Sequence, residues 1–92
     1  MVNAIVLLNV RNDRINEVAQ ELVELDGVSE VYSVAGQYDL VAVLRASSDE
    51  QIASLITEQM LKSEGILSTE TLIAFRAFSH YDLERMFSVG LD

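Results

Sequence analysis

Two short stretches concentrate the side chains able to hold a small polar molecule: Gly36-Gln37-Tyr38-Asp39-Leu40 and Ser68-Thr69-Glu70-Thr71. In the first, glycine permits close approach to the main chain, and Asp39 sets a negative charge beside the Tyr38 ring. In the second, hydroxyls can donate to a carboxylate while Glu70 can receive an ammonium. Together they carry the complement of a zwitterion. On residue types alone the plainer reading is structural: Gly36 makes a turn, Asp39 satisfies turn N–H groups, and the threonines are β-formers.

Other chemistries find little support. The one histidine, His80, stands between Ser79 and Tyr81 with Asp82 two residues on. A surface or helix-start position suits it better than a general base, which needs a positioned partner and a pocket. With no cysteine and a single histidine, a metal site is not expected. Glu17, Glu21 and Glu24 read as the solvated face of a helix, and no phosphate-binding glycine loop is present. No catalytic residue, metal or cofactor is therefore assigned, and the chain is not expected to be an enzyme.

Charge narrows the partners. Fifteen acidic residues against six basic ones give a net charge of −9 over 92 residues. Arg11, Arg14, Arg45, Lys62, Arg76 and Arg85 are scattered, so nothing forms the basic patch that duplex DNA or an anionic membrane selects. The apolar run Ala4 to Leu8 is too short for a membrane span or the core of a signal peptide, which leads to an expected cytoplasmic location.

These residues need a scaffold, and the hydrophobic pattern supplies one. Asn3 to Val10 reads as a buried strand with Ala4, Val6, Leu8 and Val10 on one face and Ile5 and Leu7 on the other. Asn12 or Asp13 is the expected cap of a helix carrying Ile15, Val18, Leu22 and Leu25 and closed at Asp26-Gly27. Val28 to Val34 and Leu40 to Leu44 form a hairpin, the second strand being expected to be covered on both faces. Ser47 or Ser48 with Glu50 or Gln51 has capping-box spacing before Ile52, Leu55, Ile56 and Met60. A last strand is expected over Ile66 to Phe78. The order predicts an α+β, ferredoxin-like βαββαβ sandwich of the dimeric α+β barrel type, with an antiparallel sheet and two helices on one face. A domain over 1–78 is followed by a short helical tail over 79–92. Half of the residues are hydrophobic and mean hydropathy is +0.24, high for so small a domain. With no disulfide available, a homo-oligomer that buries the open sheet face is the expected remedy.

The two motifs, with Val28-Ser29-Glu30-Val31-Tyr32 leading into the first, resemble the effector-binding domain, or RAM domain, of the Lrp/AsnC family of amino-acid-responsive transcription regulators. The resemblance covers residues 2–76. It implies a βαββαβ module that dimerises, assembles into rings and binds an amino acid between subunits near these loops. Gly36, Gln37, Tyr38 and Asp39 of one chain are then expected near Ser68, Thr69, Glu70 and Thr71 of another, with backbone N–H near Gly36 and the Thr69 and Thr71 hydroxyls holding the α-carboxylate and Asp39 or backbone carbonyls taking the α-ammonium. Those regulators carry an N-terminal helix-turn-helix domain, whereas this chain opens directly on its first strand; the expectation is a stand-alone module that senses an effector and does not itself bind DNA. Full-length regulators of the same family are possible partners. The alternatives are a small enzyme of the dimeric α+β barrel kind and a ligand-free adaptor for such regulators.

Overall fold

The computed structural model describes residues 1–78 and His80. Strand β1 (Val2–Val10) leads through a 3-10 turn (Asn12–Arg14) to helix α1 (Ile15–Val23); β2 (Val28–Ser33) and β3 (Leu40–Ala46) form the hairpin. Helix α2 (Asp49–Ser54) widens into a π turn (Leu55–Gln59) and a 3-10 turn (Met60–Lys62) before β4 (Ile66–Ala74). The sheet order is β2-β3-β1-β4 with every neighbour antiparallel, which is the expected ferredoxin-like arrangement.

Alternation along the strands decides what is buried. Ala4, Val6, Leu8 and Val10 of β1 and Leu40, Ala42 and Leu44 of β3 pack with Val18 and Leu22 of α1 and with Ile52, Leu55, Ile56 and Met60. Their neighbours face the other way. Register sets Asn3 beside Arg45 and Ala74, Ile5 beside Val43 and Leu72, and Leu7 beside Val41 and Glu70 on the helix-free face. Coverage of β3 is thus one-sided within the chain, unlike the expected two-sided burial: Val41 and Val43 are half-buried, and Ile5 and Leu72 are 36% and 46% exposed.

Several element ends differ from expectation for identifiable reasons. Neither Asn12 nor Asp13 caps α1, because Asp13 instead accepts two hydrogen bonds from the Arg11 guanidinium, at 3.1 and 2.7 Å. The helix stops at Val23, and Leu25 packs on the core from the turn beyond it. Gly27, at φ +100°, then swings the chain into β2; a Cβ there would lie 2.9 Å from Leu55 Cδ2. Half of the capping box is present at Ser48, whose hydroxyl accepts from Gln51 N–H at 3.2 Å; Gln51 Oε1 reaches back past the cap and accepts from Ser47 N–H at 2.9 Å. In the widened turn the Thr57 hydroxyl donates to the Ala53 carbonyl at 2.8 Å, a back-bond that competes with regular helix.

The last strand ends at Ala74, four residues short of Phe78. Its partner β1 starts at Val2, one residue beyond the final pair Asn3↔Ala74, so Arg76 to Phe78 have no strand to continue against. Phe75 is fully exposed. The expected helical tail over 79–92 lies outside the described residues apart from His80, which is exposed.

Candidate functional site

The connection between β2 and β3 is held by Asp39. Its main chain donates to Leu8 O at 2.9 Å and accepts from Val34 N–H at 3.0 Å. Its carboxylate Oδ2 accepts from Val10 N–H at 2.8 Å. The β1–β3 pairing ends at Leu8↔Leu40, so beyond that point the aspartate side chain stands where a strand carbonyl would be. On the other edge β1 bulges, passing from Asn9↔Ser68 to Val10↔Ile66 and leaving Leu67 unpaired and 66% exposed.

The two sequence motifs meet within one chain. Tyr38 Oη donates to Glu70 Oε2 at 2.5 Å, and Asn9 Nδ2 donates to Ser68 Oγ at 3.1 Å. Tyr38, Glu70 and Ser68, with Asn9, therefore form a continuous polar rim at one end of the open face. The hydrogen bond to Glu70, then lost solvation, then the carboxylate charge raise the Tyr38 phenol above its ordinary value of 10.0. Tyr32, hydrogen-bonded to Glu30 on the same face, is raised above the same value by that bond, then by the charge of Glu30 and by desolvation.

The remaining expected site residues separate. Thr69 and Thr71 pair with Leu8 and Val6, so they lie on the opposite side of β4 from Ser68 and Glu70. Thr69 is half-buried and Thr71 exposed. Gly36 and Gln37 are exposed, and Gly36 adopts φ +136° with no atom within 4 Å of where a Cβ would stand, which leaves its main chain open to a visitor. Asn9 and the Val10 amide belong to this region and were not singled out from sequence. Their signal is only positional, the end of the strand that the hairpin connection must cross.

A separate cleft of ≈ 560 Å³ lies at the other end of β3, with Asp26, Gly27, Arg45, Ser48, Gln51 and Gln59 among its lining residues. None of the eight expected site residues reaches it. Among the described residues no group of three or more His, Cys, Asp or Glu side chains could hold a metal ion, and no helix is long and apolar enough to cross a membrane.

With this geometry in place, comparison with known proteins is informative. Residues 3–83 match the model of the Lrp/AsnC ligand binding domain. The chain belongs to that family. A structure of the protein TTHA0845 from Thermus thermophilus is 42% identical with a TM-score of 0.81, covering 87% of this chain and 100% of that one. An uncharacterized HTH-type transcriptional regulator of Pyrococcus horikoshii is 36% identical over 59 residues, 64% of this chain and 39% of the regulator. The match thus spans well under half of that relative's length. A transcriptional regulator of Neisseria meningitidis, in complex with L-Met, shares the fold at a TM-score of 0.77 and 12% identity, over 86% of this chain and 53% of its own.

Proposed function

We propose that this domain is a non-enzymatic sensor of a free amino acid, working in the cytoplasm as a homo-oligomer with the ligand held between subunits at the Tyr38–Glu70 rim. The observation that carries the reading is that rim: one hydrogen bond joins the hairpin connection to β4 and concentrates the recognition groups at one exposed sheet end. Membership of the Lrp/AsnC ligand-binding family and the L-Met complex of the Neisseria regulator support the ligand class.

Roles follow from the chemistry. Open main chain at Gly36 and Gln37, with the Ser68 hydroxyl, receives the α-carboxylate; Glu70 receives the α-ammonium by exchanging its bond from Tyr38. Asp39 positions the loop through Val10 and reaches the ligand with its second oxygen. Thr69 and Thr71, on the far side of the edge strand, serve a ligand shared with a neighbouring subunit. Full-length Lrp/AsnC regulators are the partners through which such a signal reaches DNA, since a net charge of −9 opposes direct contact by this chain.

The test is a thermal-shift panel of the twenty amino acids. A ligand confined to the folded assembly stabilises it by about 2.7 kcal/mol at a hundredfold excess over Kd. At ~4–8 °C per kcal/mol for a domain of this size, the shift is easily read. Glu70→Gln should leave the unliganded midpoint near that of the wild type and remove the shift. No response to any amino acid at millimolar concentration sinks the sensor and favours the ligand-free adaptor.

A further inference from the structure

The cleft at the far end of β3 is floored by a close approach of main chain to side chain. A Cβ on Gly27 would stand 2.9 Å from Leu55 Cδ2 and 3.4 Å from the Arg45 carbonyl oxygen. Leu44 and Ala46 pack toward the helices, so alternation sends the Arg45 guanidinium to the helix-free face and leaves its carbonyl at the cleft. Leu55 and Gln59, the first and last residues of the π turn, both line the space, and such widened turns are frequent at functional sites. Its ≈ 560 Å³ falls inside the range of small-molecule sites, about 300–1,000 Å³.

The lining is rich in acceptors. Asp26, from the α1–β2 turn, and Glu50, from α2, are exposed carboxylates. Among the described residues the ion pairs are Arg11–Asp13 and Arg14–Glu21, so neither carboxylate is paired. Side-chain hydrogen bonding within the lining is confined to Ser48 and Gln51, which leaves the Ser54 hydroxyl and the Gln59 amide for a visitor. The surroundings have the same sign. Residues 12–27 and 49–64, which hold both helices, carry nine acids and two bases, whereas residues 1–11, 28–48 and 65–78 carry three of each. The helical layer therefore draws cations and repels anions, and a cleft with low-dielectric walls focuses that field.

We propose that this cleft binds a small aliphatic diamine, one ammonium group meeting Asp26 and the other Glu50. An ammonium group has three donors and no acceptor, which matches a lining of carboxylates, the Arg45 carbonyl, the Gln59 amide oxygen and hydroxyls. The methylenes between the two charges lie over Leu55 and Ala46. A carboxylate or phosphate ligand would instead face two like charges. The site stands apart from the Tyr38–Glu70 rim at the opposite end of β3, and it holds whether or not that rim takes an amino acid.

Methyl NMR of the full chain, labelled at leucine and titrated with putrescine at constant ionic strength, gives both affinity and location. Leu55 should shift along a saturating curve while Leu67, near the rim, stays still. An exposed ion pair is worth up to about fivefold in affinity, so Asp26→Asn and Glu50→Gln should each weaken binding by roughly that factor, as should replacing putrescine with n-butylamine. Glu17→Gln removes the same charge from α1 outside the cleft and should leave the affinity within about twofold, because salt screens distant charges. If either cleft variant fails to fold, judged by circular dichroism, Ser54→Arg sets a cation in the cleft without removing a carboxylate and should abolish the Leu55 response. A Leu55 shift that never saturates, or one weakened equally by Glu17→Gln, shows only the general attraction of an acidic surface and overturns the proposal. A response at Leu67 in place of Leu55 assigns the amine to the rim and overturns it as well.

Discussion

Asp39→Ala tests the clamp at the β2–β3 connection and has a magnitude that follows from its contacts. The substitution leaves the Asp39 main-chain bonds to Leu8 and Val34 available and deletes only the 2.8 Å bond from Val10 N–H. That amide is part-buried at the end of the β1–β3 pairing, so losing its acceptor costs ~1–3 kcal/mol. At about 4–8 °C per kcal/mol, a loss near 2 kcal/mol lowers the midpoint by about 8–16 °C. Asp39→Asn keeps an oxygen at the same place but loses the charge; a neutral bond is about half as strong, so roughly 1 kcal/mol is expected. Scanning calorimetry at one fixed protein concentration gives the two midpoints, since assembly also contributes to stability. Hydrogen exchange at the Val10 amide gives the local readout and should accelerate in Asp39→Ala more than in Asp39→Asn. An Asp39→Ala protein within about 0.5 kcal/mol of wild type, with Val10 still protected, would falsify the claim that this carboxylate extends the sheet.

Two further outcomes are expected. Gly27→Ala should destabilise more than Gly36→Ala: both positions carry the positive-φ cost of about 1–3 kcal/mol, but only at Gly27 does a Cβ meet Leu55 Cδ2, at 2.9 Å, and urea midpoints of the two variants will rank them. The Tyr38 phenol should titrate above 10.0 and move back toward it in Glu70→Gln, as followed by near-ultraviolet absorbance. Because its folded value is raised, the associated stability is present below the unfolded value and is lost as pH rises through the folded one.

Much of this architecture was legible because strand alternation has a strict period of two. The division of β1 into Ala4, Val6, Leu8 and Val10 against Ile5 and Leu7 follows from that period and is what the fold shows. Ser48 was legible as a cap because its partner Gln51 lies three residues on. Features set by distant partners were not. The end of β4 at Ala74 depends on where β1 begins, and Phe75 and Phe78 have strand-forming side chains regardless. The π turn after Ser54 leaves the apolar spacing of a helix unchanged while changing its path. At the candidate site both motifs were visible, but Tyr38 and Glu70 meet within one chain, where the expectation set the two motifs on different chains. The separation of Thr69 and Thr71 from Ser68 and Glu70 was implicit in alternation, but only the register of β4 on β1 says which pair faces the helices. The bond from Val10 to Asp39 spans 29 residues and leaves no local signature.

β1 is the first strand of the chain and yet occupies the middle of the sheet, pairing with residues 40–46 on one edge and 66–74 on the other. During synthesis at ~5–20 residues per second, a strand apolar on both faces therefore waits seconds for its first partner and longer for its second. Most sheet contacts of β1 are far apart in sequence, which places folding toward the slower end for a domain of this size. The nascent chain consequently presents Ala4 to Leu8 as an unpaired sticky segment, flanked by the polar Asn3 and Asn9 and uninterrupted between them, for as long as β3 is unmade. Productive expression of this protein should thus depend on how quickly the hairpin emerges and closes on β1, and slowing elongation between residues 10 and 46 should raise the aggregated fraction without altering the stability of the chains that do fold.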